Sequence, residues 1–551
     1  MNKNVKKILF LVPPNIQFKD FINPAYNTRV VKKKFGNFGS ILTDMPLGII
    51  SLSAYVKKHL SIEVKVIDFN VELNKLTEFN FKSFEDYFYN FISQSKWLDF
   101  NPDIVGISSL FTPSFQNMLD IAKCCRNIFP KTFIVAGGGV PTTMHEDIFK
   151  LSNDFNALCF GEGEKPLLNL VKAIDKFDYV EKSSSWITKK KVIKGEFFKY
   201  DFIEDLDEIP FYDYDILNID DYGLNPAITA YASIKDKKQN FHVMTSRGCP
   251  NRCCFCSSHT VHGRKMRYFS LKRVKKDFEL LKNKYKAETF IFQDDHLMAD
   301  TKRAIKIIKL VKELGVKAVF QNGLALYALD RKMLETIKSA GVDQLMLSVE
   351  SGSERVLREI MHKPLDLNIV KQVANDCRDL NIYTNVNILI GLPGETKKDI
   401  EEAKLFLRTI DTNWFMIFCA SPLVGSEMYE ICKKNNYIKG DFIGSDYKKA
   451  VVETEDFSGE YIQKMTYILN LDLNFVNNSD MRLGDYKMAL KGLENAIRAK
   501  NDHVFAYYYA AKCYEKLGDL EKSKQLMNTA RDFLAKSSFW QKYVKMFKVN
   551  I

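Results

Sequence analysis

The sequence predicts an α/β chain in three parts: a doubly wound, Rossmann-like parallel sheet, a partial barrel of six β/α units, and an α-helical C-terminus. Strand-like apolar runs alternate with amphipathic stretches from residue 6 to about 176, and again from 241 to 421. No such alternation follows residue 441. A length of 551 residues also exceeds what a single hydrophobic core supports.

Composition and charge narrow the class of protein. Hydrophobic residues make up 46% of the chain and charged residues 27%, as in ordinary globular proteins. The formal charge of +12 is spread over short basic clusters, which indicates a solvated surface and no nucleic-acid partner. We expect no transmembrane segment, because no apolar run reaches about 18 residues. The N-terminus lacks a signal-peptide pattern, so the expected location is cytoplasmic.

The first part contains strand candidates that are almost continuously apolar, which is typical of strands buried on both faces. They are Ile8–Val12, Val64–Phe69, Ile104–Ser109, Phe133–Ala136 and Ala157–Phe160. Amphipathic stretches between them predict helices, for example over 47–60, 114–129 and 166–174. This alternation predicts a doubly wound domain.

Small polar residues and glycines follow the ends of these strands, where doubly wound folds bind their ligands. The candidate binding residues are Ser108, Ser109, Gly137, Gly138, Gly161, Glu162 and Gly163. Each position alone fits a tight turn equally well, because glycine suits such turns. Together the positions favour a bound ligand.

The stretch from about 178 to 239 has a different character. A short hairpin is predicted around Trp186–Val192, and residues 201–217 are rich in Asp, Pro and Tyr. We interpret the stretch as a linker that lies along the surface.

The second part repeats the alternation of strand and helix six times, which predicts a partial (β/α) barrel. The strand candidates are Phe241–Ser246, Thr289–Gln293, Ala318–Gln321, Leu345–Val349, Val386–Ile390 and Phe415–Ala420. In such barrels the chemistry lies at the carboxyl ends of the strands. The polar residues there are the Cys249 loop, Asp294-Asp295, Asn322, Glu350-Ser351, Gly391–Glu395 and Ser421.

The C-terminal part contains a repeat with the period of tetratricopeptide helix pairs. Leu483-Gly484-Asp485 recurs 34 residues later as Leu517-Gly518-Asp519. Such helices could bind a protein partner, although a short pair more often packs against its own catalytic domain. The aromatic tail from Phe539 to Phe547 fits a capping helix better than a membrane-surface helix.

Four of the eleven cysteines lie within eight residues, 249–256, and three of them form a Cys-x3-Cys-x2-Cys pattern. Cys249, Cys253 and Cys256 can hold three irons of a [4Fe–4S] cubane and leave the fourth iron open. The alternative is a zinc site completed by His259 and His262, although structural zinc sites usually use pairs of Cys-x2-Cys. Cys254 is interpreted as a bystander. The other seven cysteines are scattered through predicted helices and strands, where buried free thiols are common.

This cysteine loop, with Phe255 before the third cysteine, resembles the cluster motif of the radical S-adenosylmethionine (SAM) superfamily. Segments 292–295, 348–352 and 391–396 resemble further motifs of that superfamily, in the expected order. The first part resembles the cobalamin-binding domain of the B12-binding (class B, anaerobic cyclase-like) subgroup. The expected domains are then a cobalamin-binding domain (1–180), a linker (181–240), a radical SAM barrel (241–440) and a tetratricopeptide-like region (441–551).

The resemblance implies roles for individual residues. Cys249, Cys253 and Cys256 would ligate the cluster, where SAM is reductively cleaved. The further residues that it places at cofactors are Phe255, Asp294, Glu350, Gly391 and Gly394 in the barrel. The glycines and serines that follow the strands of the first part would contact cobalamin. Two of these roles have structural alternatives, because Glu350 could cap a helix and the Gly391–Gly394 segment could be only a turn.

One family feature is missing. Many cobalamin domains carry Asp-x-His-x-x-Gly after the first strand, but here that loop reads Pro13-Pro14-Asn15-Ile16-Gln17-Phe18. His59 and His145 lie elsewhere and are expected at the surface. The lower ligand of cobalt is therefore unassigned, and a domain that has lost its cofactor is the alternative.

Three functions are compatible with these patterns. The leading hypothesis is a cobalamin-dependent radical methyltransferase acting on an unactivated carbon or phosphinate centre. The second is a radical cyclase, oxidase or rearrangement enzyme without methyl transfer, and the third is a non-catalytic scaffold that bears a cluster. Expected partners are a small-molecule or lipid substrate, an electron donor such as flavodoxin or ferredoxin, and a protein bound by the tetratricopeptide-like region.

Overall fold

The computed structural model describes residues 5–24, 30–223, 239–443, 447 and 449–551. Its N-terminal sheet has six strands in the order β4-β1-β5-β6-β7-β8. All neighbours in it are parallel except β7 and β8. The strands of this part, with a small hairpin of β2 and β3, are β1 (Lys7–Val12), β2 (Val30–Lys33), β3 (Gly36–Gly39), β4 (Glu63–Asp68), β5 (Ile104–Ser108), β6 (Phe133–Gly137), β7 (Ala157–Cys159) and β8 (Trp186–Ile187).

Helices cover both faces of this sheet, because side chains of β1 point alternately to two cores. Ile8 and Phe10 face one core, whereas Leu9 and Leu11 face the other. The helices are α1 (Phe18–Ile22), α2 (Leu47–His59), α3 (Phe69–Lys75), α4 (Phe84–Ile92), α5 (Ser95–Phe100), α6 (Phe115–Ile128), α7 (Gly139–Thr143), α8 (His145–Leu151), α9 (Glu164–Lys172), α10 (Lys176–Lys182) and α11 (Lys189–Ile193). The predicted doubly wound fold is confirmed.

The segment that joins the two α/β parts differs from its prediction. No hairpin forms around residue 186, because Trp186-Ile187 pairs with β7 and the chain then turns into α11. The segment is also not a surface linker, since its apolar residues lie in the core shared by both parts. The buried ones are Ile203, Leu206, Ile209, Tyr212, Tyr214, Leu217 and Tyr222. Tyr214 even donates a hydrogen bond to the carbonyl of His242 in the barrel. Residues 224–238 of the predicted linker lie outside the described residues.

The barrel consists of two parallel three-stranded sheets, β13-β12-β9 and β14-β15-β16. A parallel bridge between Leu324 and Leu347 joins them, so the predicted partial barrel of six units is confirmed. A short hairpin of β10 and β11 follows β9. The strands are β9 (Asn240–Val243), β10 (Ser246–Arg247), β11 (Arg267–Tyr268), β12 (Thr289–Phe292), β13 (Lys317–Phe320), β14 (Gln344–Glu350), β15 (Tyr383–Ile390) and β16 (Trp414–Cys419).

Helices follow the barrel strands on the outside, and most begin at a capping Asp, Ser or Thr. Thr396 and Asp399, for example, form a reciprocal capping box. The helices of this part are α12 (His259–His262), α13 (Leu271–Tyr285), α14 (Thr301–Glu313), α15 (Arg331–Ser339), α16 (Leu367–Asp379), α17 (Lys397–Leu407) and α18 (Glu427–Lys434).

The C-terminal part is helical and has its own core. Trp540 and Tyr543 are buried there, with His503 and Phe505 against the Trp540 ring. The last helix therefore caps the part, as predicted. The helices are α19 (Gly459–Leu471), α20 (Ser479–Arg482), α21 (Tyr486–Ala499), α22 (Val504–Lys516), α23 (Leu520–Lys536) and α24 (Ser538–Phe547). The tetratricopeptide assignment stays a prediction.

Two further expectations concern the whole chain. The seven scattered cysteines are all buried, as predicted, and none of them forms a disulfide within the described residues. Within the part of the chain that the structure describes, no helix is long and apolar enough to cross a membrane.

Candidate active site

The cysteine loop leaves the barrel at β10 and returns at β11. Gly248 has φ +95°, and a Cβ there would lie 2.4 Å from the carbonyl oxygen of Lys265. Only glycine allows this close approach of the two ends of the loop. The loop then carries Cys249, Cys253 and Cys256, all of which remain partly exposed.

The three cysteines line one cavity of about 200 Å³ at the carboxyl ends of the barrel strands. Phe255 and Glu350, also predicted from the sequence, lie in its wall. Other polar residues of the wall are Asn251, Ser258, His259, Asp295, His296, Asn322, Tyr327, Ser348 and Lys363. The cavity thus gathers thiols, carboxylates and cations in one place.

Burial has a clear effect on the thiols. It raises the pKa of Cys249 to about 11 and also raises the pKa of Cys253. A bound metal reverses this effect, because a coordinating thiol is deprotonated. Cys254 is buried; its N–H donates to the carbonyl of Met361, and it does not line the cavity. Its interpretation as a bystander is consistent with this position.

Glu350 lies at the end of β14 in an unusual backbone conformation. Its φ is +72°, next to a register shift between β14 and β15. The carboxylate is buried, which raises its pKa, and Lys363 Nζ lies 3.5 Å away. A non-glycine residue at positive φ is costly and often marks a functional site. The wall position and the strain support a binding role over a simple helix cap.

The adjacent carboxylates after β12 have separate tasks. Asp294 accepts hydrogen bonds from the Thr245 N–H and from the hydroxyls of Thr245 and Ser246. It therefore fixes the start of the hairpin and does not line the cavity. Asp295 does line it, and its buried Oδ2 has no hydrogen-bond partner among the described residues. Both residues follow the same strand, so the sequence pattern could not separate them.

Three further residues of the wall, His296, Tyr327 and Lys363, were not predicted from the sequence. His296 Nε2 lies 2.6 Å from the hydroxyl of Tyr327, and Lys363 approaches Glu350 as described above. Tyr327 follows β13, and His296 follows β12 by a few residues, so their positions after barrel strands were a usable signal. Lys363 follows no strand end directly and had no such signal.

The Gly391–Glu395 turn after β15 is closed by its own side chain. Glu395 Oε2 accepts hydrogen bonds from the N–H groups of Gly391 and Leu392. Gly391 and Gly394 have φ of +91° and +86°, as a glycine turn requires. Neither glycine lines the cavity, and the predicted contact of this turn with SAM stays a prediction.

The zinc alternative loses one of its ligands. His262 Nδ1 lies 2.7 Å from Glu162, whereas His259 lines the cavity. Among the described residues, no three His, Cys, Asp or Glu side chains are grouped as ligands of a single ion. A cubane differs in this respect, because its thiolates bind separate irons.

The rim of the N-terminal sheet presents a second set of predicted residues. Ser108 and Gly137–Gly139 are partly exposed at the carboxyl ends of β5 and β6. Gly138 has φ +105° and ψ −169°, a region open almost only to glycine. Ser109 instead is buried, with its hydroxyl 2.6 Å from that of Ser114.

The comparisons with known proteins agree with these two sites. A model described as the radical SAM superfamily matches residues 243–407, and a model described as the B12 binding domain matches residues 42–171. The first range contains the three cysteines and the second contains the exposed glycine rim. The chain therefore combines a B12-binding domain with a radical SAM domain, the domain arrangement of the B12-binding radical SAM enzymes.

Individual relatives cover most of the chain. An uncharacterized methyltransferase of Pyrococcus horikoshii is 26% identical over 466 residues, which are 84% of this chain and 91% of the relative. Cytidylyl-2-hydroxyethylphosphonate methyltransferase of Streptomyces wedmorensis is 26% identical over 406 residues, 68% of this chain and 76% of the relative. The structure of the cobalamin-dependent SAM radical enzyme OxsB has a TM-score of 0.61 at 15% identity, covering 98% and 81% of the two chains. The last similarity concerns the fold alone.

The two domains imply a [4Fe–4S] cluster, SAM and cobalamin as cofactors. The cavity fits the first two, because it combines three accessible thiols with the unpartnered Asp295 oxygen. The partly exposed glycines at Gly137–Gly139 fit cobalamin, because backbone without side chains at the end of a strand lets a large ligand approach closely. The radical SAM and B12-binding domains thus each keep an accessible rim for their cofactors.

Part of the predicted cobalamin rim is covered. Gly161 is buried, and a Cβ there would lie 2.5 Å from the ring of Tyr200. Gly163 is partly buried, and a Cβ there would lie 3.1 Å from the Leu52 side chain. Glu162 points into the radical SAM domain, where Arg247, His262 and Arg267 hold its pKa well below the usual range against the effect of burial. Cobalamin contacts by these residues of the loop stay a prediction.

The loop without histidine is held by two buried asparagines. Asn70 accepts from the N–H of Asn15 and donates to the carbonyl of Pro13. Asn117 donates to the carbonyls of Pro14 and Ile16, both at 2.8 Å. The loop therefore has a fixed course in the B12-binding domain although it offers no imidazole.

A loop of the B12-binding domain reaches the strand ends of the barrel. Met45 N–H donates to His242 Nδ1, and His242 Nε2 lies 3.2 Å from Asp44 Oδ1. The first contact leaves the imidazole proton on Nε2, which donates to Asp44. Gln321, just after β13, donates to the other oxygen of Asp44 at 3.1 Å. The two cofactor domains therefore meet on the rim that carries the cavity.

Proposed function

We propose that the protein is a cobalamin-dependent radical SAM methyltransferase that acts on an unactivated carbon or phosphinate centre. The observation that carries this proposal is the contact of Asp44 with His242 and Gln321. It brings the B12-binding domain onto the barrel rim beside Asn322, a residue of the cavity wall that follows Gln321 directly. A methyl carrier and a radical source can then serve one substrate. The methyltransferase names of two relatives support the same reaction class.

Three groups of the cavity wall have proposed roles. Cys249, Cys253 and Cys256 would hold three irons and leave the fourth for the amino and carboxylate groups of SAM. When bound, the reduced cluster supplies the electron that splits SAM into methionine and a 5′-deoxyadenosyl radical, and cobalamin carries the methyl group. Glu350 would accept hydrogen bonds from the bound SAM, and Lys363 keeps its carboxylate in place.

The cavity wall also controls water and protons. Phe255 and Leu326 give the wall apolar surface that excludes water from a reactive radical. His296 Nε2 and the Tyr327 hydroxyl lie within hydrogen-bond distance, at 2.6 Å, which makes this pair the group best placed to take a proton from a substrate in the cavity. Burial lowers the pKa of His296, so its imidazole stays neutral and can accept that proton.

The test starts from the wild-type chain, reconstituted anaerobically with iron, sulfide and hydroxocobalamin and then desalted. The proposal expects retained corrinoid absorption above the broad cluster band. With a reductant, SAM and a substrate, it expects both 5′-deoxyadenosine and S-adenosylhomocysteine. Cluster without corrinoid, or 5′-deoxyadenosine and methionine alone with every substrate, would favour the cyclase or rearrangement hypothesis. A reconstituted cluster that never cleaves SAM would favour the scaffold hypothesis.

The remaining partners belong to the same proposal. The reaction needs a low-potential electron donor such as flavodoxin or ferredoxin, and the substrate would be a small molecule or a lipid. Replacing the chemical reductant by either donor in the assay above tests the first point. No turnover with either protein, while the chemical reductant works, would contradict it.

A further inference from the structure

One carboxylate of the B12-binding domain lies between both arms of the hairpin that carries the cysteine loop. Arg247 of β10 pairs directly with Arg267 of β11. Glu162 accepts hydrogen bonds from Nη1 and Nη2 of Arg267 at 2.9 and 2.6 Å, and Arg247 Nη1 lies 3.0 Å from its Oε2. His262, inside the loop, makes the further contact at 2.7 Å. We call these four residues the carboxylate clamp.

The charges of the clamp are far from water. Glu162 is 5% exposed, Arg247 4% and Arg267 3%. Like charges directly opposite each other on neighbouring strands repel, and a buried charge without its partner is strongly destabilising. The two arginines can therefore stay paired at the base of the loop only while a carboxylate lies between them.

A second carboxylate fixes Arg247 from the other side. Glu164 accepts from Arg247 Nη2 at 2.7 Å and from the hydroxyl of Ser51 at 2.6 Å. Only Gly248 separates Arg247 from Cys249, the first cysteine of the cavity. A movement of Arg247 is therefore passed to a cysteine of the cavity through a single residue.

The other end of the loop is equally constrained. The Arg267 guanidinium lies 4.1 Å from the centre of the Phe202 ring and also donates to the carbonyls of Ile203 and His262. Phe202 and Ile203 belong to the segment that joins the two domains. The position of Arg267 thus depends on that segment and on Glu162 together.

We propose that Glu162 is a positioning residue for the cysteine loop, by which the B12-binding domain holds both ends of the loop in the geometry that binds the [4Fe–4S] cluster. The inference rests on the proposed function, since it takes the three cysteines as cluster ligands. It gives Glu162 a role toward the cluster that is different from the cobalamin contact predicted from the sequence. Removing one charge in the B12-binding domain then weakens a cluster whose ligands are unchanged.

The test compares Glu162→Gln with Glu204→Gln. Glu204 is the matched control, because its carboxylate pairs with Lys265 of the same loop at 2.8 Å but both side chains are exposed. Both variants and wild type are reconstituted anaerobically and challenged with an iron chelator. The expected result is an about tenfold weaker retention of iron in Glu162→Gln, as for other residues that support metal ligands. Glu204→Gln should behave as wild type.

A second readout separates positioning from general stability. The electron paramagnetic resonance spectrum of the reduced cluster is recorded with and without SAM, and urea unfolding is measured on the cluster-free proteins. An altered spectrum in a Glu162→Gln protein that is still fully folded without urea supports the clamp, even where the unpaired buried arginines lower its unfolding midpoint. Wild-type iron retention and an unchanged spectrum in Glu162→Gln would overturn it. A wild-type protein that binds no cluster would instead defeat the proposed function.

A further variant covers the case in which Glu162→Gln does not fold. Arg267→Lys keeps the positive charge but replaces the two donor nitrogens that contact Glu162 by the one nitrogen of an ammonium group. Its iron retention should fall between those of wild type and Glu162→Gln, or clearly below wild type if the latter is insoluble. Retention equal to that of Glu204→Gln would overturn the proposal.

Discussion

The rim of the barrel and the rim of the N-terminal sheet are both formed by the carboxyl ends of parallel strands. They differ in how far neighbouring elements cover them. In the barrel, Cys249 and Glu350 line a cavity. In the N-terminal sheet, the loop after β7 is covered, with Gly161 under Tyr200 and Glu162 between two arginines. A residue at a strand end can contact a ligand only where no neighbouring element covers it or binds its side chain.

The strongest test of this contrast concerns the cysteines of one loop. Cys253→Ala should abolish the cluster, because the cubane loses one of its three protein ligands. Cys254→Ala should retain it, since that thiol is buried and outside the cavity. Iron content and 5′-deoxyadenosine formation under anaerobic conditions measure the effect. Equal iron content in the two variants would contradict the claim that only the thiols lining the cavity bind the cluster.

The next largest effect is expected at Glu350, the cavity residue with a strained backbone. Glu350→Gln should raise the KM for SAM by about 10- to 100-fold, because a hydrogen bond to a charged group is worth about 1.5–3 kcal/mol. Glu354→Gln serves as the control, since Glu354 is exposed on the same connection. Initial rates of SAM cleavage at varied SAM concentration give both constants. A fall in kcat with an unchanged KM would assign Glu350 to a role other than SAM binding.

The exposed rim of the N-terminal sheet has its own test. Gly138→Ala should cost about 3 kcal/mol and reduce corrinoid retention, because the Cβ would lie 2.5 Å from the Ser109 carbonyl oxygen in a backbone region reserved for glycine. Gly484→Ala, at φ +79° in open space, controls for positive φ alone and should cost about 1 kcal/mol. Urea unfolding and corrinoid absorption provide the comparison. Full corrinoid retention in a destabilised Gly138→Ala protein would contradict a cofactor role for this rim.

The most gradual effect, spread over more than two pH units, belongs to a buried residue of the barrel itself. Burial raises the pKa of Glu395 from 4.5 to about 7, despite the two N–H groups that it accepts from. The folded chain therefore keeps a proton that the unfolded chain has lost, and this contribution to stability is lost as pH rises from 4.5 through about 7. Between wild type and Glu395→Gln, the free energy of unfolding should diverge by up to about 1.4 kcal/mol per pH unit in that window. Urea unfolding of the cluster-free proteins at several pH values measures this divergence. If the free energies of unfolding of the two proteins change with pH in parallel, the Glu395 carboxyl is ionised throughout and the prediction is wrong.

Much of the architecture could be predicted from the sequence, because its signals are local. Strands such as Ile8–Val12 carry the apolar pattern of a doubly buried sheet, and the six units of the barrel follow from the same periodicity. The segment around residues 203–222 could not be placed, since Asp, Pro and Tyr are as common in an exposed linker as in a wedge between two domains. Its burial depends on contacts far away in the chain, such as that of Tyr214 with His242.

Candidate site residues were predictable to different degrees for a chemical reason. Three closely spaced thiols have few structural uses, so Cys249, Cys253 and Cys256 could be selected and do line one cavity. Glycine and carboxylate have many structural uses, and here Asp294 and Glu162 are engaged by neighbouring residues of the protein. The number of alternative uses of a residue type, more than its position after a strand, limits such predictions.

The attachment of the C-terminal helices has a consequence for modularity. Asp472 and Asp480, both buried, bind Arg408 and Arg378 of the barrel. Further along, a Cβ at Gly492 would strike Trp414 of β16. An exchange of the C-terminal helices between homologues, with the junction between residues 459 and 492, would therefore break contacts with the barrel. A partner bound by these helices, as predicted from their repeat, would therefore be held at a constant distance and angle from the cysteine cavity.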